Sequence, residues 1–135
     1  MKFQDNIPIY LQIEDNLYQE IALGHLKPGD QLPSVRQLAV QQTANVNTVQ
    51  RALRQMNERG IIFTKRGQGN FVTTDQKLLA QTKQRLVTEQ LAKFVAGLRD
   101  LGLSDAEIEA ALADYLQNKE EEQDDWIVNR QRFNL

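Results

Sequence analysis

The hydrophobic positions of this chain change period along its length, and the changes mark its elements. Ile13, Leu17 and Ile21 recur every four residues with Tyr10 one turn before, so a helix is expected from Pro8, whose fixed φ suits a helix start, to a stop at Gly24. The segment HLKPGDQLP that follows carries Pro-Gly punctuation and reads as a connector with room for one β-bridge near Gln31. Ser34 is then a candidate N-cap for a second helix with a stripe of Val35, Leu38 and Ala39. The polar run TANVN reads as a turn. A third helix has the cleanest pattern, Val49, Ala52, Leu53 and Met56 at i, i+3, i+4 and i+7, and ends at Gly60. Ile61-Ile62-Phe63 and Phe71-Val72 predict two short strands around Lys65-Arg66-Gly67-Gln68-Gly69.

Beyond Thr73-Thr74-Asp75 the pattern changes again. Val87, Leu91, Phe94, Leu98 and Leu101 follow 4-3-4-3 spacing, the seam of a heptad helix, which Thr74 or Asp75 would cap and Gly102 would end. Ser104 with Glu107 forms a capping-box pattern for a fifth helix with Ile108, Ala111, Leu112, Tyr115 and Leu116 on its apolar side. From Gln123 to Leu135 no period is evident, although Trp126, Ile127, Val128 and Phe133 make the stretch apolar. The expected fold is mainly α with a small β-wing: an N-terminal winged helix-turn-helix domain over 1–74, then a short two-helix dimerisation and effector segment over 75–135.

Composition narrows the classes. At 135 residues, 41% hydrophobic and 25% charged, the chain has the make-up of a soluble globular protein. No apolar stretch approaches the ~20 residues of a membrane span, and no charged-then-apolar leader opens it, so a cytoplasmic location is expected. Cysteine is absent and His25 is the single histidine, which leaves no thiolate site, triad or His-based metal cluster. The acidic run Glu120 to Asp125 lacks the spacing of a calcium loop. No cofactor and no metal are expected. The net charge of −2 conceals an asymmetry. Ser34 to Val72 holds six basic residues and one acidic, net +5, whereas Asp75 to Leu135 holds eight basic and twelve acidic, net −4. Screening limits the reach of exposed charges to about 10 Å, so the local surplus governs attraction to phosphate.

That surplus coincides with the two-helix pattern. A helix that enters the major groove must bury one face and offer polar groups on the other. In the third helix Asn45, Asn47, Thr48, Gln50, Arg51 and Arg54 lie on the exposed face or at the N-terminal end, and base contact comes mostly from the first turns of such a helix. Asn47, Gln50 and Arg51 are the candidate base readers and Thr48 a candidate phosphate ligand. Ser34 and Arg36 place free N–H groups and a guanidinium at the start of the second helix, a second phosphate site. Lys65, Arg66, Gly67, Gln68 and Gly69 form a wing tip able to approach phosphate or the minor groove.

These residues carry a family resemblance. PIYLQI, LKPGDQLPSVRQLA, NVNTVQRAL and RGIIFTKRGQGNFV, spanning Pro8 to Val72, resemble the GntR family of bacterial transcription regulators and, with the short tail, its YtrA-like branch. The resemblance implies a sequence-specific regulator, usually a homodimeric repressor on a palindromic operator, often beside transporter genes, with an unidentified small effector as a further candidate partner. It implies DNA contacts at Arg36, Asn45, Asn47, Thr48, Gln50, Arg51, Gly67, Gln68 and Gly69, and at Tyr10, which matches an aromatic position suited to backbone phosphate. Gln42-Thr43-Ala44 departs from the usual Leu-Gly-Val, so some residue other than glycine must take the strained φ of the turn.

Two readings compete. A winged module that has lost DNA binding would lack a basic reading face, yet Arg36, Arg51, Lys65 and Arg66 are present. An enzyme would need a nucleophile and base, a metal cluster or a phosphate loop, and Gly67-Gln68-Gly69 lacks the helix such a loop requires. The second segment is expected to pair with another copy through Val87, Leu91, Phe94, Leu98, Leu101, Ile108, Leu112 and Tyr115, because two short helices bury too little on their own.

Overall fold

The computed structural model describes residues 6–132, with side chains as far as Asn118. In chain order it has α1 (Ile9–Ala22), α2 (Val35–Gln42), α3 (Val46–Glu58), β1 (Ile62–Lys65), β2 (Gly69–Val72), α4 (Gln76–Asp100) and α5 (Asp105–Arg132). The chain divides into two compact units, one up to Arg85 and one from Leu86 onward, so the first turns of α4 belong to the winged unit.

The first unit is built on the contact of α1 with α3. Ile13 and Leu17 from α1 and Val49, Ala52, Leu53 and Met56 from α3 are buried together with Leu32, Leu38, Ile61, Ile62 and Val72. Each large side chain withdrawn from water in this way contributes about 1.5–3 kcal/mol. The strands pair antiparallel with Ile62 opposite Val72 and Lys65 opposite Gly69. The connector supplies the bridge, Gln31 to Phe71, with Leu32 N–H donating to the Asn70 carbonyl at 2.8 Å and Val72 N–H to the Asp30 carbonyl at 2.8 Å.

Local capping decides the boundaries. Ser34 and Gln37 form a reciprocal capping box: the Gln37 N–H donates to Ser34 Oγ at 3.1 Å and the Ser34 N–H to Gln37 Oε1 at 2.8 Å. Asp75 caps α4 through the Leu78 N–H, and Ser104 with Glu107 makes the second box ahead of α5. Hydrogen bonding to Ser104 holds the Glu107 carboxyl below its ordinary pKa. Two boundaries differ from the sequence reading. α3 begins at Val46, because Asn45 rather than a later residue is its cap, so Val46 and Asn47 are helical and the turn is only Thr43-Ala44-Asn45. α5 continues to Arg132, through the stretch that showed no apolar period; the side chains of the Glu120 to Asp125 run and of Trp126, Ile127 and Val128, and all of Phe133, lie outside the described residues.

The missing glycine of the turn is answered by Thr43, which takes φ 52° and ψ 49° at the end of α2. Among the described residues it is the non-glycine residue with positive φ. A β-branched side chain in this left-handed region crowds its own backbone at a cost of about 1–2 kcal/mol. Its side chain is exposed and contributes no core packing. Thr43→Gly should therefore raise unfolding free energy by about 0.5–1 kcal/mol after glycine's larger unfolded-chain entropy is counted, measurable as a higher urea midpoint at unchanged slope.

One buried charge sits in this unit. Glu14 is 1% exposed, and its Oε1 accepts from Arg59 Nη1 at 2.9 Å across 45 positions, while Oε2 has no hydrogen-bond partner. Burial pushes the Glu14 carboxyl above its ordinary value; Arg59 pulls it back, Asp15 pushes it up and Arg85 pulls it back. A carboxyl whose pKa is higher folded than unfolded binds its proton more tightly in the native state, so its contribution to stability falls as pH rises from the unfolded value through the folded one. Arg59 is half exposed and can be hydrated alone; Glu14 cannot. Arg59→Met should cost about 3 kcal/mol at neutral pH and progressively less toward pH 5, whereas Glu14→Gln should cost less and remove this pH dependence. Urea titrations at both pH values check the pair; an equal Arg59→Met penalty at each would deny that Glu14 is the origin.

Candidate nucleic-acid interface

α3 presents its polar face because its other face is committed to the core. Asn47, Gln50, Arg51 and Arg54 are exposed, on the side away from Val49, Ala52, Leu53 and Met56. Asn45 is exposed, but its Oδ1 is occupied: it accepts from the Thr48 N–H at 2.8 Å and from the Thr48 hydroxyl at 3.0 Å. The Thr48 hydroxyl hydrogen is thus spent on the cap, and a bond from it to phosphate requires that hydrogen bond to be exchanged. These two residues first of all fix where α3 starts. Asn47, Gln50 and Arg51 fall in its first two turns, the part of a reading helix that reaches base edges.

At the start of α2, Ser34 uses its oxygen as acceptor for the cap, which leaves the hydroxyl hydrogen for an anion, and Arg36 is exposed in the first turn of the helix. The wing lies across from it over an open groove of about 650 Å³ whose walls include Ser34, Val35 and Gln37 on one side and Gln68, Gly69 and Asn70 on the other. The structure therefore brings the α2 N-terminus and the wing tip together.

The wing is a three-residue loop, Arg66-Gly67-Gln68, closed by the Gln68 N–H to the Lys65 carbonyl at 2.9 Å. Gly67 has φ 77°, which frees it from the penalty a side chain would meet there. Lys65, Arg66 and Gln68 are exposed. Lys65 is not extended into solvent: its ammonium lies 4.6 Å from the centre of the Phe71 ring, which stacks on Phe63 with centroids 5.6 Å apart.

Four features escaped the sequence reading. Gln31 donates from Nε2 to the Gln68 carbonyl at 2.7 Å, tying the connector to the wing tip. A Cβ at Gly69, where φ is 120°, would stand 3.0 Å from that same Nε2. Asn57 donates to Thr64 Oγ1 at 2.8 Å and Thr64 in turn to Asn70 Oδ1 at 2.7 Å, which links the end of α3 to both strands. Arg59, counted in the basic surplus, is turned back onto Glu14. Finally Tyr10, expected at backbone phosphate, places its ring beneath Arg51, with the guanidinium carbon 4.0 Å from the ring centre. Each joins residues too far apart in sequence for any local pattern to reveal.

In the second unit Val87, Leu91, Phe94, Leu101, Leu112 and Tyr115 are exposed, Leu98 is half-buried and Ile108 is buried. Arg99 donates to Asp105 Oδ1 at 2.9 Å across the α4–α5 turn. Among the described residues no group of His, Cys, Asp and Glu could hold a metal ion, and no helix is long and apolar enough to cross a membrane.

Known proteins share this arrangement. The sequence pattern of the bacterial regulatory proteins of the gntR family matches residues 9–72. The uncharacterized HTH-type transcriptional regulator YhcF of Bacillus subtilis is 41% identical over 107 residues, 79% of this chain and 88% of YhcF. The HTH-type transcriptional repressor YtrA of the same organism is 39% identical over 93 residues, 68% of this chain and 72% of YtrA. Among solved structures, a GntR family transcriptional regulator from Listeria monocytogenes superposes with a TM-score of 0.77 at 34% identity, over 83% of this chain and 98% of that one.

Proposed function

The chain belongs to the GntR family and is a DNA-binding transcriptional regulator, not an enzyme, and from that premise we propose that it acts in the cytoplasm as a homodimeric repressor on a palindromic operator, of which a transporter operon is the class its resemblance suggests. The observation that carries the reading is the groove between the α2 N-terminus and the wing, lined by Ser34 and Gln37 on one wall and Gln68 and Asn70 on the other, in the same unit as a helix whose apolar face is locked and whose polar face is open. In this reading Asn47, Gln50 and Arg51 contact bases. Ser34, Arg36, Lys65 and Arg66 hold phosphate, Gly67, Gln68 and Gly69 bring the wing backbone close to the duplex, and Asn45 and Thr48 set the entry of α3. Repression is supported by the likeness to YtrA, a transcriptional repressor. The exposed cations Arg36, Arg51, Lys65 and Arg66 favour this over a winged module that has lost its DNA.

Two classes of contact separate by salt and by sequence. Arg51→Ala should cost about 1–3 kcal/mol of operator affinity and blur preference at one base position, whereas Lys65→Ala should weaken binding evenly on all sequences and flatten the salt slope by about one ion. Fluorescence anisotropy on specific and scrambled duplexes at several salt concentrations distinguishes them; a uniform loss from Arg51→Ala would remove it from the base readers.

Dimerisation rests on the exposed apolar residues of α4 and α5, among them Val87, Leu91, Phe94, Leu101, Leu112 and Tyr115, a kind of surface that marks interaction sites. A two-fold pair would set two reading helices about 34 Å apart or a multiple of it, on half-sites of an inverted repeat. Leu91→Asp adds a charge at an exposed position and should leave the winged unit folded, convert the protein to a monomer in sedimentation, and cut operator affinity. A charged variant that still sediments as a dimer would overturn this role for the seam.

A further inference from the structure

Tyr10 and Arg51 are 41 positions apart and meet face to cation. The contact follows from the packing of α1 on α3. Tyr10 stands on the α1 stripe that buries Ile13, Glu14 and Leu17, one turn before it, and is itself half-buried, so the ring is fixed by the core beneath it. Arg51 lies on the face of α3 away from the buried Val49, Ala52, Leu53 and Met56 and is exposed. Its guanidinium nevertheless comes to rest over the Tyr10 ring.

An unrestrained arginine loses much rotamer freedom when it engages a base. A guanidinium whose carbon is held 4.0 Å over the ring centre has already lost part of that freedom, and a contact made through the ring's π-face takes up none of the N–H groups that fork onto guanine O6 and N7. A lysine would gain the attraction without the fork. The tyrosine hydroxyl takes no part in this effect; only the ring does.

We propose that Tyr10 is a specificity-determining positioning residue, whose ring pre-sets the Arg51 guanidinium for reading one base. The proposal rests on Arg51 being a base reader, and it gives Tyr10 a role distinct from a hydroxyl bond to phosphate.

The test uses the full chain and a randomised duplex library, from which the base position blurred by Arg51→Ala is identified. Tyr10→Phe should keep discrimination at that position within about twofold. Tyr10→Leu should reduce it on the order of fivefold, the range of an aromatic–cation contact, leave the other positions and the salt slope unchanged, and add nothing further in the Arg51→Ala background. In the DNA-free protein the Arg51 Nε–Hε resonance should be ring-shifted in wild type and Tyr10→Phe and move toward its unstructured value in Tyr10→Leu. That signal is read on the folded protein and tests the contact even where Tyr10→Leu lowers stability. Three outcomes overturn the proposal: Tyr10→Leu retains discrimination, Tyr10→Leu binds more tightly because the ring had held Arg51 away from DNA, or Tyr10→Phe loses as much as Tyr10→Leu because the hydroxyl acts. If Arg51→Ala blurs no position, the base-reading assignment falls and the proposal falls with it; if Arg51→Ala blurs one and Tyr10→Leu does not, the proposal alone fails.

Discussion

The division of α3 into a buried face and an open face is the constraint from which the rest of the winged unit follows. Val49, Ala52 and Met56 are fully withdrawn from water, so the helix cannot rotate about its axis without exposing them. That fixes which residues face outward, and it fixes the position of the partner helix α1, since the same stripe is the seat on which α1 lies. The strands are secured to the end of α3 by the Asn57–Thr64–Asn70 chain and to the connector by three backbone hydrogen bonds. The outward residues of α3 thus inherit their positions from apolar contacts in which they take no part.

Much of this could be read from local spacing. The stripes of α1 and α3, the Ser34 cap and the Ser104–Glu107 box are governed by residues three or four apart, and the sequence displays those directly. The start of α3 was less visible. Val46 and Asn47 sit among polar neighbours, and only the bond from the Thr48 N–H to Asn45 identifies the cap. The length of α5 was hidden for a related reason: its apolar residues after Gln123 are bunched at Trp126, Ile127 and Val128 and do not recur every three or four positions.

The candidate site divides the same way. Amphipathicity identifies which side chains of α3 face outward, so Asn47, Gln50 and Arg51 were legible. What each polar group is bonded to is decided by partners 37 to 45 residues away, at Gln31–Gln68, Tyr10–Arg51 and Glu14–Arg59, and no periodicity reports those. Buried Glu14 is the sharpest case. A glutamate on an amphipathic helix reads as solvated until the arginine that reaches it is placed in space, and Arg59 correspondingly reads as part of the basic surface when it is bound inward.

The meeting of Gln31 with Gly69 has a consequence for building hybrids. A Cβ at residue 69 would crowd the amide nitrogen of Gln31 at 3.0 Å, and that nitrogen holds the carbonyl of the residue next to it. Neither position can be exchanged without regard to the other. A β-hairpin transplanted from a homologue would seat correctly only if the connector residue that grew up with it were carried along, and a scaffold with a bulkier loop would have to surrender the glutamine first.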